Sequence, residues 1–220
     1  MKKWNGSLPE GEYVRCANGC RIHYLDEGVG DVVVFLHGSG PGASGYSNFK
    51  QNFPAFVEGG YRCLVIDLVG YGFSDKPEDL DYTLKFFVEC VIQVLDEIEI
   101  DRFSVIGNSL GGAIALGLAL DFADRVDKLI LMAPGGLSEM NEYQAMQGMQ
   151  KMFKVFGSSE TLTSDIMRDL FASSLMFDPR HATDKLVEER MQIMKQCSMK
   201  DTMVLKLMKI KKVWQESLQE

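Results

Sequence analysis

The stretch Phe103-Ser104-Val105-Ile106-Gly107-Asn108-Ser109-Leu110-Gly111-Gly112, followed by the small apolar run Ala113 to Leu120, decides the fold. Its first four residues have strand character, and Ala113 to Leu120 reads as a buried, glycine-tolerant helix. Between them lies G-x-S-x-G in strand–turn–helix context. A turn this sharp forces Ser109 into a strained backbone and lifts its hydroxyl above the strand end. Side chains at 107 and 111 would strike neighbouring backbone, hence glycine at both. A helix starting at Leu110 would aim its amides and positive dipole end at negative charge developing beside the serine. The bland reading is a glycine-rich turn of the phosphate-binding kind. A dinucleotide fold should carry G-x-G-x-x-G after its first strand, and that pattern is lacking here.

Working outward, Val32 to Leu36 and Cys63 to Ile66 are continuous apolar runs, as expected of strands covered on both faces. Tyr13 to Cys16 and Arg21 to Leu25 read as a strand pair around Ala17-Asn18-Gly19. Tyr82 to Ile98 has apolar residues at helical spacing (Leu84, Phe87, Val88, Val91, Ile92, Leu95). Leu129 to Met132 is a further strand, closed by Pro134-Gly135-Gly136. The alternation predicts an α/β fold with a mostly parallel, doubly wound sheet and ligands at the strand carboxyl ends. Composition changes near residue 138. Nineteen of the 21 glycines precede it and eleven of the 13 methionines follow it, so residues 1–137 read as an α/β core and 138–220 as a helical segment.

The 220 residues are 46% hydrophobic and 25% charged, an ordinary globular composition. The net charge of −8 argues against nucleic acid as a partner. No apolar run approaches the ~20 residues of a membrane span, and Met1-Lys2-Lys3-Trp4-Asn5 has no apolar core behind it. Five scattered cysteines (Cys16, Cys20, Cys63, Cys90, Cys197) with no second pair and a single nearby histidine, His23, fit reduced cytoplasmic thiols better than zinc.

A second glycine-rich loop, His37-Gly38-Ser39-Gly40-Pro41-Gly42, follows the strand Val32 to Leu36. Such a loop can bring another backbone N–H beside the serine turn, so the amides of Ser39 and Leu110 are the expected oxyanion donors, with Gly38 and Gly40 lining the substrate. His37 invites a role as general base. The alternative, that it holds the loop backbone in place, is preferred.

These two loops, the continuation Ala43-Ser44-Gly45-Tyr46-Ser47-Asn48-Phe49, and Leu129-Ile130-Leu131-Met132-Ala133-Pro134-Gly135-Gly136-Leu137 resemble the α/β-hydrolase fold. More narrowly, the chain is similar over nearly its whole length to the meta-cleavage product hydrolases, which cut carbon–carbon bonds in ring-opened aromatic compounds. The resemblance implies a helical lid over residues 138–220 and Ser109 as nucleophile. It implies a 2-hydroxy-6-oxo-hexa-2,4-dienoate substrate whose dienoate end is bound by Asn48, Asn108 and Arg190. It implies neither metal nor organic cofactor. In that picture the dienol shifts to its keto form, Ser109 attacks the 6-oxo carbon, and cleavage releases 2-hydroxypenta-2,4-dienoate. A guanidinium grips a carboxylate through two hydrogen bonds, which suits Arg190. Its alternative is a solvated helix residue beside Glu188 and Glu189, and that of Asn48 and Asn108 is local turn capping. Met146, Met149, Met152, Phe153, Phe156, Met167, Phe171, Met176 and Phe177 either pack the lid or line an apolar pocket. Lys206, Lys209, Lys211 and Lys212 read as one solvated helix face.

A serine nucleophile needs a base, and the family order is Ser, acid, His. The chain has three histidines, and only His181 follows Ser109, within lid-like sequence. The chain therefore reads as an N-terminal portion ending at the lid's exit, with the last two strands, the acid and the base absent and a sheet edge exposed. It should show little turnover alone. His181 folding down as base is a minor alternative. Three rivals stand beside the dienoate reading. A carboxylesterase would use the same serine, and Arg190→Ala separates it, crippling dienoate cleavage while sparing small esters. A haloalkane dehalogenase or epoxide hydrolase would have Asp at 109. A non-catalytic binding module would keep the pocket and lack the base. The oligomeric state is open, and a homo-oligomer is compatible.

Overall fold

The computed structural model describes residues 8–137, 140–157 and 162–196. Six strands, β1 Glu12–Arg15, β2 Arg21–Glu27, β3 Val32–Leu36, β4 Arg62–Ile66, β5 Phe103–Asn108 and β6 Val126–Met132, form one sheet in the order β1-β2-β4-β3-β5-β6. β3 is flanked by β4 and β5, all parallel, and β6 continues the parallel set. β1 and β2 are the antiparallel hairpin expected around residues 17–19.

Alternation along the central strands assigns the two faces. Val34, Leu36, Leu64, Ile66 and Val105 pack with Phe87, Val91, Leu95, Ile114 and Leu118, which come from α3 Leu84–Glu97 and α4 Leu110–Asp121. Val33, Phe35, Cys63, Val65 and Ile106 pack on the other face with Phe49 of α1 Gly45–Phe49 and Phe53 of α2 Phe53–Glu58. Strands covered on both faces account for the uninterrupted apolar runs. Each fully buried Phe or Leu here is worth roughly 1.5–3 kcal/mol of transfer free energy. The Thr83 hydroxyl caps α3 by accepting the Phe86 amide.

Helix α4 begins at Leu110 and its C-terminal end is open to solvent, with Leu120 exposed. The buried-helix expectation therefore holds only as far as Leu118. β6 is an edge strand among the described residues, and Ile130 and Met132 are 46% and 42% exposed.

Among the described residues, four further helices follow β6: α5 Met140–Ala145, α6 Gln147–Gly157, α7 Ser164–Leu170 and α8 Asp184–Gln196. A π-helical turn, Phe171–Leu175, and a 3-10 turn, Pro179–His181, lie between the last two. Met167, Phe171, Ala182 and Val187 form a small core of their own, while Met152, Leu170 and Ile193 join the large one. Of the methionines and aromatics in this segment, Met149, Met152, Met167, Phe171 and Met176 are packed in these two cores. Phe177 is fully exposed and Met146 half-exposed. Cys197, the lysines at 206, 209, 211 and 212, and the Phe156 side chain lie outside the described residues. Cys16, Cys20, Cys63 and Cys90 are buried and free. No helix among the described residues is long and apolar enough to cross a membrane.

Candidate active site

The loops after β3, β4 and β5 meet at the carboxyl end of the sheet. Ser109 stands between β5 and α4 with φ 52° and ψ −111°, a region non-glycine residues enter at a cost of about 1–3 kcal/mol. Its backbone is held from both sides. The Ser109 amide donates to Met132 O at 3.0 Å, and its carbonyl accepts from the amides of Gly112, Ala113 and Gly135 at 2.9, 3.1 and 2.8 Å. A serine in this N-cap position ordinarily spends its hydroxyl on the first turn, but here the side chain makes no capping bond. Ser109 is half-buried, and its hydroxyl is not among the buried atoms lacking a partner, so the oxygen reaches solvent.

The glycines flanking the serine have the predicted steric cause. A Cβ on Gly107 would lie 2.2 Å from Gly111 O, and one on Gly111 would lie 2.0 Å from Leu36 O and 2.7 Å from His37 O. The Gly111 amide donates to His37 O at 3.1 Å, which ties the serine turn to the loop after β3. Gly38 is the near neighbour across that seam, and a Cβ there would be 3.1 Å from the Ser109 Cβ. Asn48 Oδ1 accepts from the Gly38 amide at 3.4 Å and from Asn108 Nδ2 at 3.2 Å. Asn48 and Asn108 are therefore brought together, and Asn48 braces the loop after β3. Among the described residues, the amides of Ser39 and Leu110 donate to no protein acceptor.

The three histidines are accounted for. His37 is fully buried, its Nδ1–H donates to Gly38 O at 2.7 Å, and its Nε2 accepts the Leu68 amide at 3.0 Å. Burial holds the ring below its usual pKa, with the Arg190 charge adding to the effect. A histidine with both nitrogens spent on backbone is a loop brace and not a base. His23 pairs through Nδ1 with Asp67 Oδ2 at 2.9 Å, deep in the molecule. It lies on β2, three inter-strand spacings from β5, or about 14 Å, and its Nε2 abuts Gly11. His181 is exposed on the 3-10 turn and makes no bond to Ser109. No histidine of the chain is placed to take the serine proton.

Arg190 comes from α8, which crosses over the loop after β3. A Cβ on Gly42 would lie 2.3 Å from Arg190 O. The Arg190 guanidinium lies over the Phe171 ring, 5.5 Å from its centroid, and its buried Nε has no hydrogen-bond partner. Desolvation pushes its pKa down to about 10, with the Glu189 charge acting against the shift. A buried guanidinium with an idle donor is prepared for an anion.

Sequence reasoning did not single out Asp67, Lys50 or Glu189. Asp67 closes β4 and collects the Gly45 amide at 2.6 Å, the Phe73 amide at 2.9 Å and His23, so one carboxylate binds three segments of the core. An acid directly after a buried apolar strand was a readable signal. Lys50 and Glu189 are 139 positions apart, and no local pattern joins them.

A sequence model described as the alpha/beta hydrolase fold matches residues 31–166. A 2-hydroxy-6-oxo-6-phenylhexa-2,4-dienoate hydrolase from Burkholderia cepacia is 37% identical over 171 residues, covering 77% of this chain and 58% of that protein. A 2-hydroxy-6-oxononadienedioate/2-hydroxy-6-oxononatrienedioate hydrolase from Comamonas testosteroni is also 37% identical, with the same coverage. The chain thus spans less than two thirds of the length of these curated relatives. Among solved structures, a meta-cleavage product hydrolase from Pseudomonas fluorescens IP01, crystallised with acetates, superimposes with a TM-score of 0.77. It is 30% identical over 88% of this chain and 67% of that one. The sequence pattern covers more than half of the residues, and the serine turn is built as that architecture requires: the chain belongs to the alpha/beta hydrolase fold family.

Proposed function

We propose that the chain carries the nucleophile, the oxyanion donors and the carboxylate site of a serine-dependent C–C hydrolase acting on a 2-hydroxy-6-oxo-hexa-2,4-dienoate. The observation that carries the reading is the Ser109 turn, a strained serine with a free hydroxyl beside Gly38 and the idle amides of Ser39 and Leu110. In this reading the Ser109 oxygen adds to the 6-oxo carbon as its proton leaves to solvent water, and the two amides receive the oxyanion. The C5–C6 bond then breaks to release 2-hydroxypenta-2,4-dienoate, and water hydrolyses the acyl-serine to the free acid. Loss of one such donor typically costs about 10²–10³ in kcat. Arg190 holds the far carboxylate, with Asn48, Asn108, Gly38 and Gly40 beside the chain of the dienoate. The buried, unpartnered Nε of Arg190 favours a carboxylate-bearing substrate over a plain ester. Residues 1–137 act as core and 138–220 as cover. The reading extends to a cytoplasmic compartment, supported by four buried unpaired thiols.

No step assigns the serine proton to a histidine of this chain, so turnover should be slow. A site that lacks a triad member retains roughly 10³–10⁴-fold over water from the oxyanion hole and binding. The test is a single-turnover assay of 2-hydroxy-6-oxo-6-phenylhexa-2,4-dienoate with excess protein, following benzoate release alongside calorimetric binding. Slow release that vanishes in Ser109→Ala, with binding intact there and at least about tenfold weaker in Arg190→Leu, is expected. Equal release by Ser109→Ala, or equal binding by Arg190→Leu, overturns the reading.

A further inference from the structure

The Arg190 site has an unusual electrostatic neighbour. Glu189 is fully buried and precedes Arg190 on α8, yet adjacent helix positions do not face each other. Both Glu189 carboxylate oxygens are instead taken by Lys50 Nζ, at 2.6 and 2.5 Å. Lys50 caps the carboxyl end of α1, the helix that bears Asn48. Two of the three charges cancel, and among the described residues no carboxylate pairs with Arg190. Glu189 is the next residue to Arg190, and its charge already acts on the guanidinium against the desolvation, so left unpaired it would compete with a ligand anion.

We propose that Lys50 is a positioning residue for anion recognition: by claiming Glu189 it leaves the Arg190 guanidinium unpaired, and so makes the site selective for a carboxylate-bearing diene over a neutral one. The proposal rests on the reading of Arg190 as the carboxylate holder. Geometry supports the coupling. The same bridge ties α8 to the core beside Gly42, where Arg190 O meets the loop backbone. Lys50 therefore governs both where the guanidinium sits and what competes for it. Its own ammonium is engaged twice and has no need to touch substrate.

The test is calorimetric titration of the full chain with hexa-2,4-dienoate (sorbate) and with its neutral amide. The unmodified chain should prefer sorbate, and Arg190→Leu should abolish that preference. Lys50→Met should weaken sorbate binding by about tenfold or more and leave the amide unchanged, because the freed Glu189 now neutralises Arg190. Adding Glu189→Gln to Lys50→Met should restore sorbate affinity to within about threefold, and Lys50→Arg should match the unmodified chain. A purely structural role would not predict rescue by removing the second charge, nor an effect confined to the anion. If Arg190→Leu abolishes the preference while Lys50→Met binds normally, or if the double variant binds no better than Lys50→Met, the inference fails and the Arg190 reading stands. If the unmodified chain shows no preference, or Arg190→Leu keeps it, both fall. Should Lys50→Met not fold, Glu189→Gln alone decides. Sorbate binding at least as tight as in the unmodified chain supports the inference, and a tenfold loss overturns it.

Discussion

Replacing Gly42 by alanine tests whether helix α8 is seated directly on the loop after β3. Gly42 has φ +61°, and a Cβ there would lie 2.3 Å from Arg190 O and 2.8 Å from both its carbonyl carbon and Cα. An ordinary C···O approach is about 3.3 Å, so α8 must recede by about 1 Å. The left-handed backbone costs alanine roughly 1–2 kcal/mol, and forcing the helix away adds about 1–3 kcal/mol, as overpacking does. A stiffer unfolded chain offsets about 0.4–1 kcal/mol. The net loss is near 3 kcal/mol, or roughly 6–12 °C in Tm for a chain of this size. Because Arg190 moves with the helix, sorbate affinity should also fall by about tenfold or more, given how steeply recognition depends on 1 Å shifts. Gly19→Ala is the control. Gly19 has φ +86° with nothing within 4 Å of its Cβ position, and it sits in the β1–β2 turn. There the same backbone term and the same offset leave a net cost of about 0–1.6 kcal/mol, with sorbate binding untouched. Differential scanning fluorimetry and calorimetry on both variants decide the matter. Equal Tm losses together with unchanged sorbate affinity in Gly42→Ala would refute the seating of α8 on this loop.

Asp67 should set part of the acid limit of stability. Burial alone would raise its pKa, but the His23 hydrogen bond and charge, the His37 ring and the Phe73 amide hold it below the usual carboxylate range. A depressed folded-state value means stability that is present above the unfolded carboxylate pKa of about 3.9 and is lost as pH falls through the folded value. Asp67→Asn should therefore flatten the fall of Tm below about pH 4, and an unchanged slope counts against the assignment. Gly111→Ala drives a Cβ into the backbone of the loop after β3, 2.0 Å from Leu36 O and 2.7 Å from His37 O. It should cost about 3 kcal/mol or more in urea unfolding, and a variant as stable as the original would mean that the serine turn is not built as described.

Much of this was legible because the signals were local. Val32 to Leu36 begins and ends as a strand where its apolar run does, since burial on both faces leaves no polar position to blur the limits. The serine turn was readable because two glycines, one serine and a following apolar helix have a single steric solution. The short helices Gly45–Phe49 and Phe53–Glu58 were not read. The first is set by a reciprocal Ser44–Ser47 capping box in place of apolar periodicity, and the second opens with a proline in its first turn. Arg190 lies on α8 with a buried, unpartnered Nε, and not as the solvated helix residue its neighbours Glu188 and Glu189 could suggest, but the bridge beside it joins residues 50 and 189 and has no sequence signature. His37 shows what pattern reading can do with a histidine. The preferred role, that of a loop brace, is the one its two backbone bonds describe.

The four sequestered thiols give the molecule a built-in clock. Cys16, Cys20 and Cys90 sit where the β1–β2 hairpin covers α3, whereas Cys63 lies in the middle of the sheet between β2 and β3. An alkylating reagent reaches either group only when its shelter opens, so labelling rates, divided by the rate of the same thiols in the unfolded chain, give opening free energies. Mass spectrometry of a timed alkylation should find the hairpin group modified well before Cys63, and the ratio of the two rates reads how loosely the antiparallel corner is attached to the parallel centre.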